Sequence, residues 1–130
     1  MAPPREHAEL LLRKASRDEF VFDRLANDPD CPDEVLGFHV QQAAEKILKA
    51  ALALRRIRHP RTHDLAKLIS LLRESGVVVP ESLDDLAHLT PYATTFRYDE
   101  AEPGGLDRAE ARRLLSQCKR WIELQLQSTA

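Results

Sequence analysis

The chain has 130 residues, 43% of them apolar and 31% charged, a balance that excludes a disordered polymer and suits one domain around a single core. A net charge of −2 excludes the global basic excess that draws in nucleic acid. Four glycines and few β-branched residues argue for helix over sheet, and no segment is long enough to span a bilayer.

Met1 to Arg5 reads as a short Pro-containing tail on a domain that spans residues 1–130. A first helix is expected from about Glu6 to Ala26, with Ala8, Leu11, Leu12, Ala15, Phe22, Leu25 and Ala26 as its core stripe. Asn27 to Pro32 is a breaker cluster. The second helix is expected from Asp33 to Arg56, and Pro60 closes the connection after it. Val40, Ala43, Ala44, Ile47 and Leu48 recur there at helical spacing, with Leu36 before and Ala51 and Leu54 after. At one residue per ~100° they cover one arc of roughly 160°. The other side carries His39, Gln41, Gln42, Glu45, Lys46 and Lys49.

A third helix is expected from His63 to Ser75, with Thr62 as N-cap, Leu65, Leu68, Ile69 and Leu72 in the core, and Gly76 just past its end. Val77-Val78-Val79 has no partner run and reads as an extended connection whose valines cover the bundle. Ser82 caps a shorter fourth helix, which Pro91 interrupts or follows. Tyr98 to Leu106 is acidic, contains Pro103-Gly104-Gly105, and reads as a flexible loop. The last helix starts at the Asp107 cap, with Glu110 at capping-box spacing. Its buried side is expected to be Ala111, Leu114, Leu115, Cys118, Ile122, Gln125 and Leu126, with Trp121 at the edge of that stripe. The fold class is therefore all-α: an antiparallel up-and-down four-helix bundle with an additional short helix.

Charge is unevenly spread. From Lys46 to Lys67 there are seven basic residues against Asp64, and from Glu81 to Glu110 eight acidic residues against Arg97 and Arg108. Such asymmetry can steer an anionic ligand or order a self-assembly. Cys31 and Cys118 have no metal-ligand spacing and no signal peptide near them, so a reducing cytoplasm is the expected setting. Asp84 and Asp85 have no neighbouring His, and neither a metal nor a cofactor is expected.

The stretch Phe38-His39-Val40-Gln41-Gln42-Ala43-Ala44-Glu45-Lys46-Ile47-Leu48-Lys49-Ala50 resembles the second helix of the HEPN family (higher eukaryotes and prokaryotes nucleotide-binding). Thr62-His63-Asp64-Leu65 looks like the family's start of the third helix. Leu89-Thr90-Pro91-Tyr92-Ala93 followed by Arg97-Tyr98 looks like its later signature. The resemblance implies a helical bundle, and a protein of the kind found beside a minimal nucleotidyltransferase in prokaryotes, often as a two-component toxin–antitoxin module. This chain has no Gly-Ser plus paired-Asp signature, so it would not itself transfer nucleotides.

Many HEPN members are metal-independent ribonucleases with an Arg-x4–6-His motif after the Arg-Tyr position. His moves a proton near neutral pH, and Arg stabilises charge on the scissile phosphate. Here Arg97 stands at that position, but the last histidine of the chain is His88. The acidic run after Arg97 also disfavours a phosphate backbone. A literal match lies elsewhere, with Arg58 or Arg56 before His63, in the connection that precedes the third helix.

His39, Gln42, Lys46 and Lys49 progress along one side of the second helix by three, four and three residues. They suit a nucleotide phosphate or an acidic partner, or they satisfy one another between helices or across a dimer interface. Arg97 and Tyr98 read as a pair that positions a nucleotide or as an anchor in an interface. The first functional expectation is a non-catalytic HEPN module that binds a nucleotide or a partner, through His39, Gln42, Lys46, Lys49, His63, Arg97 and Tyr98. It is expected to be a homodimer that works with a minimal nucleotidyltransferase. The alternatives are a HEPN ribonuclease toxin with a non-standard Arg/His site and a purely structural helical dimer.

Overall fold

A computed structural model describes residues 3–93 and 105–128. The described residues form helix α1 (Pro4–Leu25), α2 (Asp33–Leu54), α3 (Leu65–Glu74), a 3-10 helix (Glu81–Ala93) and α4 (Arg108–Ser128), with no strand among them. No helix among them is long and apolar enough to cross a membrane. The α2 helix packs against each of the other four elements. That central place explains its burial. Thirteen of its 22 residues are buried, Gln41 and Glu45 among them. The core joins the apolar stripe of α2 to Phe22, Leu65, Leu68, Leu72, Leu86 and Leu115.

Helix boundaries follow hydrogen-bond chemistry more than periodicity. The α3 helix starts two residues later than the leucine pattern suggests, with Asp64 as its N-cap in place of Thr62. Asp64 Oδ1 accepts from the Lys67 amide at 3.3 Å, and Thr62 Oγ1 accepts from the Asp64 amide at 3.1 Å. Thr90 in the 3-10 helix accepts from the Leu65 amide at 3.2 Å, satisfying one of the helix's open donors. Asp107 caps α4 as expected, accepting from the Glu110 amide at 3.0 Å.

Both α2 and α3 end in a Schellman motif. In α3 the Gly76 amide donates to Arg73 O and the Val77 amide to Leu72 O, each at 3.0 Å. Gly76 takes the left-handed conformation this requires, with φ +90°. In α2 the Arg56 amide donates to Ala53 O at 3.0 Å and the Ile57 amide to Leu52 O at 2.9 Å. Arg56 therefore occupies the glycine position with φ +59°, at a backbone cost of roughly 1–2 kcal/mol.

Four details depart from the sequence expectation. Val77 and Val79 are buried, but Val78 between them is 80% exposed. Its carbonyl accepts from Trp121 Nε1 at 3.0 Å, and Trp121 is buried rather than at an exposed edge. Such a bond is what a buried indole N–H requires. Gln125 and Leu126 are only half-buried. Finally, the element after Val79 is a 3-10 helix that contains Pro91.

The 3-10 helix lies so close to α2 that a Cβ on Gly37 would sit 2.2 Å from Tyr92 Cδ1. Only glycine leaves room for that ring. Arg108, at the start of α4, ties down the α1–α2 connection. Its guanidinium donates to Ala26 O, Asp28 O and Cys31 O at 2.6–3.0 Å and to Asp33 Oδ1 at 3.0–3.1 Å.

Candidate functional site

The polar side of α2 is a hydrogen-bonded network and not an open face. One half centres on Asp18 of α1. His39 Nδ1 donates to Asp18 Oδ1 at 3.0 Å, and Lys46 Nζ pairs with Asp18 Oδ2. The other half centres on Glu45. Gln41 Nε2 donates to Glu45 Oε1 at 3.0 Å, His63 Nδ1 to the same oxygen at 2.8 Å, and Lys49 Nζ to Glu45 Oε2 at 2.9 Å. Gln42 links the halves, donating to Gln41 Oε1 at 2.8 Å and accepting from Lys46 Nζ at 3.5 Å. Gln41 Nε2 also reaches His63 O at 3.2 Å, which fixes the α2–α3 connection on α2.

The structure thus brings together five of the residues singled out from sequence: His39, Gln42, Lys46, Lys49 and His63. Arg97 and Tyr98 lie outside the described residues. Sequence reasoning missed Asp18, Gln41 and Glu45 as members of the site. For Gln41 and Glu45 a signal existed, because Gln41–Glu45 and Glu45–Lys49 have the four-residue spacing of helical partners. For Asp18 there was none, since its partners lie 21 and 28 residues away.

Electrostatically the network is balanced. Asp18 and Glu45 bring two negative charges, and Lys46 and Lys49 bring two positive ones. Burial, the largest influence on Glu45, acts to raise its pKa. The hydrogen bonds from Lys49, Gln41 and His63 outweigh it and hold the carboxyl below its ordinary 4.5. The His63 side chain is 59% exposed, so its ring is anchored on one edge and open to solvent elsewhere.

Beyond His63 the connection opens into a cleft of about 500 Å³ with Arg58, His59 and Lys67 on its wall. The His59 ring stacks on that of His7 of α1 with centroids 6.3 Å apart. Burial, and then the charge of Lys49, push the His59 pKa down. A second, smaller cavity of about 140 Å³ lies between α1, α2 and α4, floored by Ala43 and Ile47, with Glu19 and Lys119 paired at 2.8 Å among its lining residues. Both cysteines are buried free thiols, and burial pushes Cys118 up to about 12, far from a reactive thiolate. Among the described residues no group of three His, Cys, Asp or Glu is placed to hold a metal ion.

The chain matches the HEPN domain over residues 8–128, nearly its whole length, and it belongs to that family. No curated protein and no solved structure matches it.

Proposed function

We propose that this chain is a non-catalytic HEPN module that binds a nucleotide or a protein partner through the α2 network and the connection beside it. In this reading the four α-helices form an antiparallel up-and-down bundle, and the module acts in the cytoplasm as a homodimer beside a minimal nucleotidyltransferase, in the manner of a toxin–antitoxin pair. The observation that carries the proposal is the charge-balanced network itself. Ribonuclease chemistry needs a histidine and a free guanidinium converging on one phosphate. The α2 face offers no guanidinium, its two lysines are spent on Asp18 and Glu45, and His39 gives Nδ1 to Asp18. A preformed set of paired polar groups suits recognition, because little ordering remains to be done on binding.

One observation favours the runner-up, a ribonuclease with a non-standard site. The Glu45–His63 contact of 2.8 Å orients an imidazole whose other edge is exposed, as a carboxylate does for a general base. Arg58 would then be the phosphate partner. An RNA cleavage assay on wild type, Arg58→Ala and His63→Ala separates the two. The proposal expects no cleavage in any of them. Cleavage by wild type that disappears in both variants would replace it with the ribonuclease reading. Sedimentation at tens of micromolar checks the dimer, since a standard interface is filled at roughly that concentration.

A further inference from the structure

The lysines of α2 are neutralised, so the surplus positive charge of this chain lies elsewhere. Residues 55–67 hold five basic side chains against Asp64. Arg56, Arg58 and Arg61 are exposed and have no hydrogen-bond or ion-pair partner among the described residues. Several arginines elsewhere are engaged: Arg73 with Asp84 at 2.8 Å, Arg108 with Asp33, Arg112 with Glu19 at 2.7 Å, and Arg113 with Glu110, while Arg13, Arg17 and Arg120 are exposed and unpaired like those of the connection. The unpaired ones of the connection are also held in place. The Schellman turn fixes the backbone of Arg56, Ile57 packs against the core between Arg56 and Arg58, and the Thr62 amide closes a turn on Pro60 O at 2.9 Å.

Of these, Arg58 borders a concavity. The cleft of about 500 Å³ is walled by Arg58 and His59 of the connection and by Lys67, Ser70, Leu71 and Glu74 of α3. That volume lies in the range of small-molecule sites. The α3 residues fall at steps of three, four and seven from Lys67, so they share one face of the helix. Lys67 and Glu74 stand about 10 Å apart along it, at ~1.5 Å of rise per residue. The cleft is therefore basic at the end near Arg58 and Lys67 and acidic at the end near Glu74. The His59 ring and the Ser70 hydroxyl add further hydrogen-bonding groups to the lining.

We propose that this cleft binds a chain of two or three phosphates, with the phosphates at the Arg58–Lys67 end. The inference rests on the nucleotide-binding reading above and moves its charge recognition from α2 to the α2–α3 connection. Two sources share this chemistry: a nucleoside triphosphate and an inorganic polyphosphate. Glu74 favours the first, because a carboxylate repels more phosphate but accepts hydrogen bonds from ribose hydroxyls or a base amine.

The test is calorimetric titration of the whole chain with ATP, inorganic tripolyphosphate and adenosine at low salt. It is run on wild type, Arg58→Ala/Lys67→Ala and Lys46→Ala. Both cleft side chains are exposed, and a thermal melt of each variant verifies folding. The expected result is binding of ATP and tripolyphosphate by wild type, weakened at least tenfold in the cleft variant, weakened by added salt, and weakened far less in Lys46→Ala than in the cleft variant. ATP binding tighter than tripolyphosphate identifies a nucleotide as the source, and equal binding identifies free polyphosphate; either supports the site. Loss of binding in Lys46→Ala with retention in the cleft variant would overturn this inference while leaving the nucleotide-binding reading intact. No binding of either phosphate compound by wild type at millimolar concentration would overturn the inference together with that nucleotide arm, leaving the partner arm to stand.

Discussion

Glu45→Ala tests the network at its most buried charge. The Glu45 side chain is 6% exposed and that of its partner Lys49 13% exposed. Removing the carboxylate strands the Lys49 ammonium in a poorly hydrated place, leaves His63 Nδ1 without its acceptor, and leaves Gln41 Nε2 with His63 O alone. Breaking a fully buried pair by deleting one partner costs about 3–5 kcal/mol. Lys49 can extend partly to water, so the lower end applies, at about 3 kcal/mol. For a domain of this length that is a fall in Tm on the order of 10 °C. Urea melts of wild type, Glu45→Ala and Glu45→Leu/Lys49→Met read the effect directly. The double variant replaces the pair with apolar volume and is expected to recover most of the loss. The pH dependence carries a sign. The folded pKa of Glu45 lies below its unfolded value of 4.5, so its contribution is complete above that value and lost as pH falls through the folded one. Glu45→Gln should therefore melt with a shallower acid limb than wild type. Glu19 is shifted in the same direction, its burial outweighed by Lys119 and Arg112, so part of the limb should remain. A loss below about 1 kcal/mol in Glu45→Ala, with no change in the acid limb, would refute the reasoning, since the pair would then behave as a surface ion pair.

Gly37→Ala should cost about 1–3 kcal/mol, because the new methyl meets the Tyr92 ring, and Tyr92→Leu in the same chain should relieve part of the loss in urea melts. Arg56→Gly should raise stability by about 1 kcal/mol by removing a left-handed non-glycine residue, seen as a higher urea midpoint. Gly76→Ala should lower it by about 1 kcal/mol through backbone strain alone, since nothing lies within 4 Å of the added Cβ. Arg108→Ala leaves three carbonyls and the Asp33 carboxylate without their donor, and should cost about 2 kcal/mol in the same assay.

The helices were legible in the sequence because burial imposes a period that the chain must carry. Val40, Ala43, Ala44, Ile47 and Leu48 are all buried, as their spacing required, and Gly76 and Asp107 mark helix ends through local backbone chemistry alone. The family was legible for the same reason, since the Phe38–Ala50 stretch that resembles it lies on α2. What the sequence could not supply was the identity of partners far apart in the chain. Whether Lys46 faces solvent or Asp18 depends on how α1 crosses α2, and no local pattern encodes that crossing. Whether the polar side of α2 is a surface or an interior depends on how many neighbours surround the helix. With α2 in contact with all four other elements, Gln41 and Glu45 are buried and must be satisfied within the fold. Trp121 changed from an edge residue to a buried donor because the Val78 carbonyl, 43 residues away, was brought to its indole. Tertiary structure also decided which cations remain unpaired. Those on α2 found carboxylates, and those at Arg56, Arg58 and Arg61, past the end of the helix, did not.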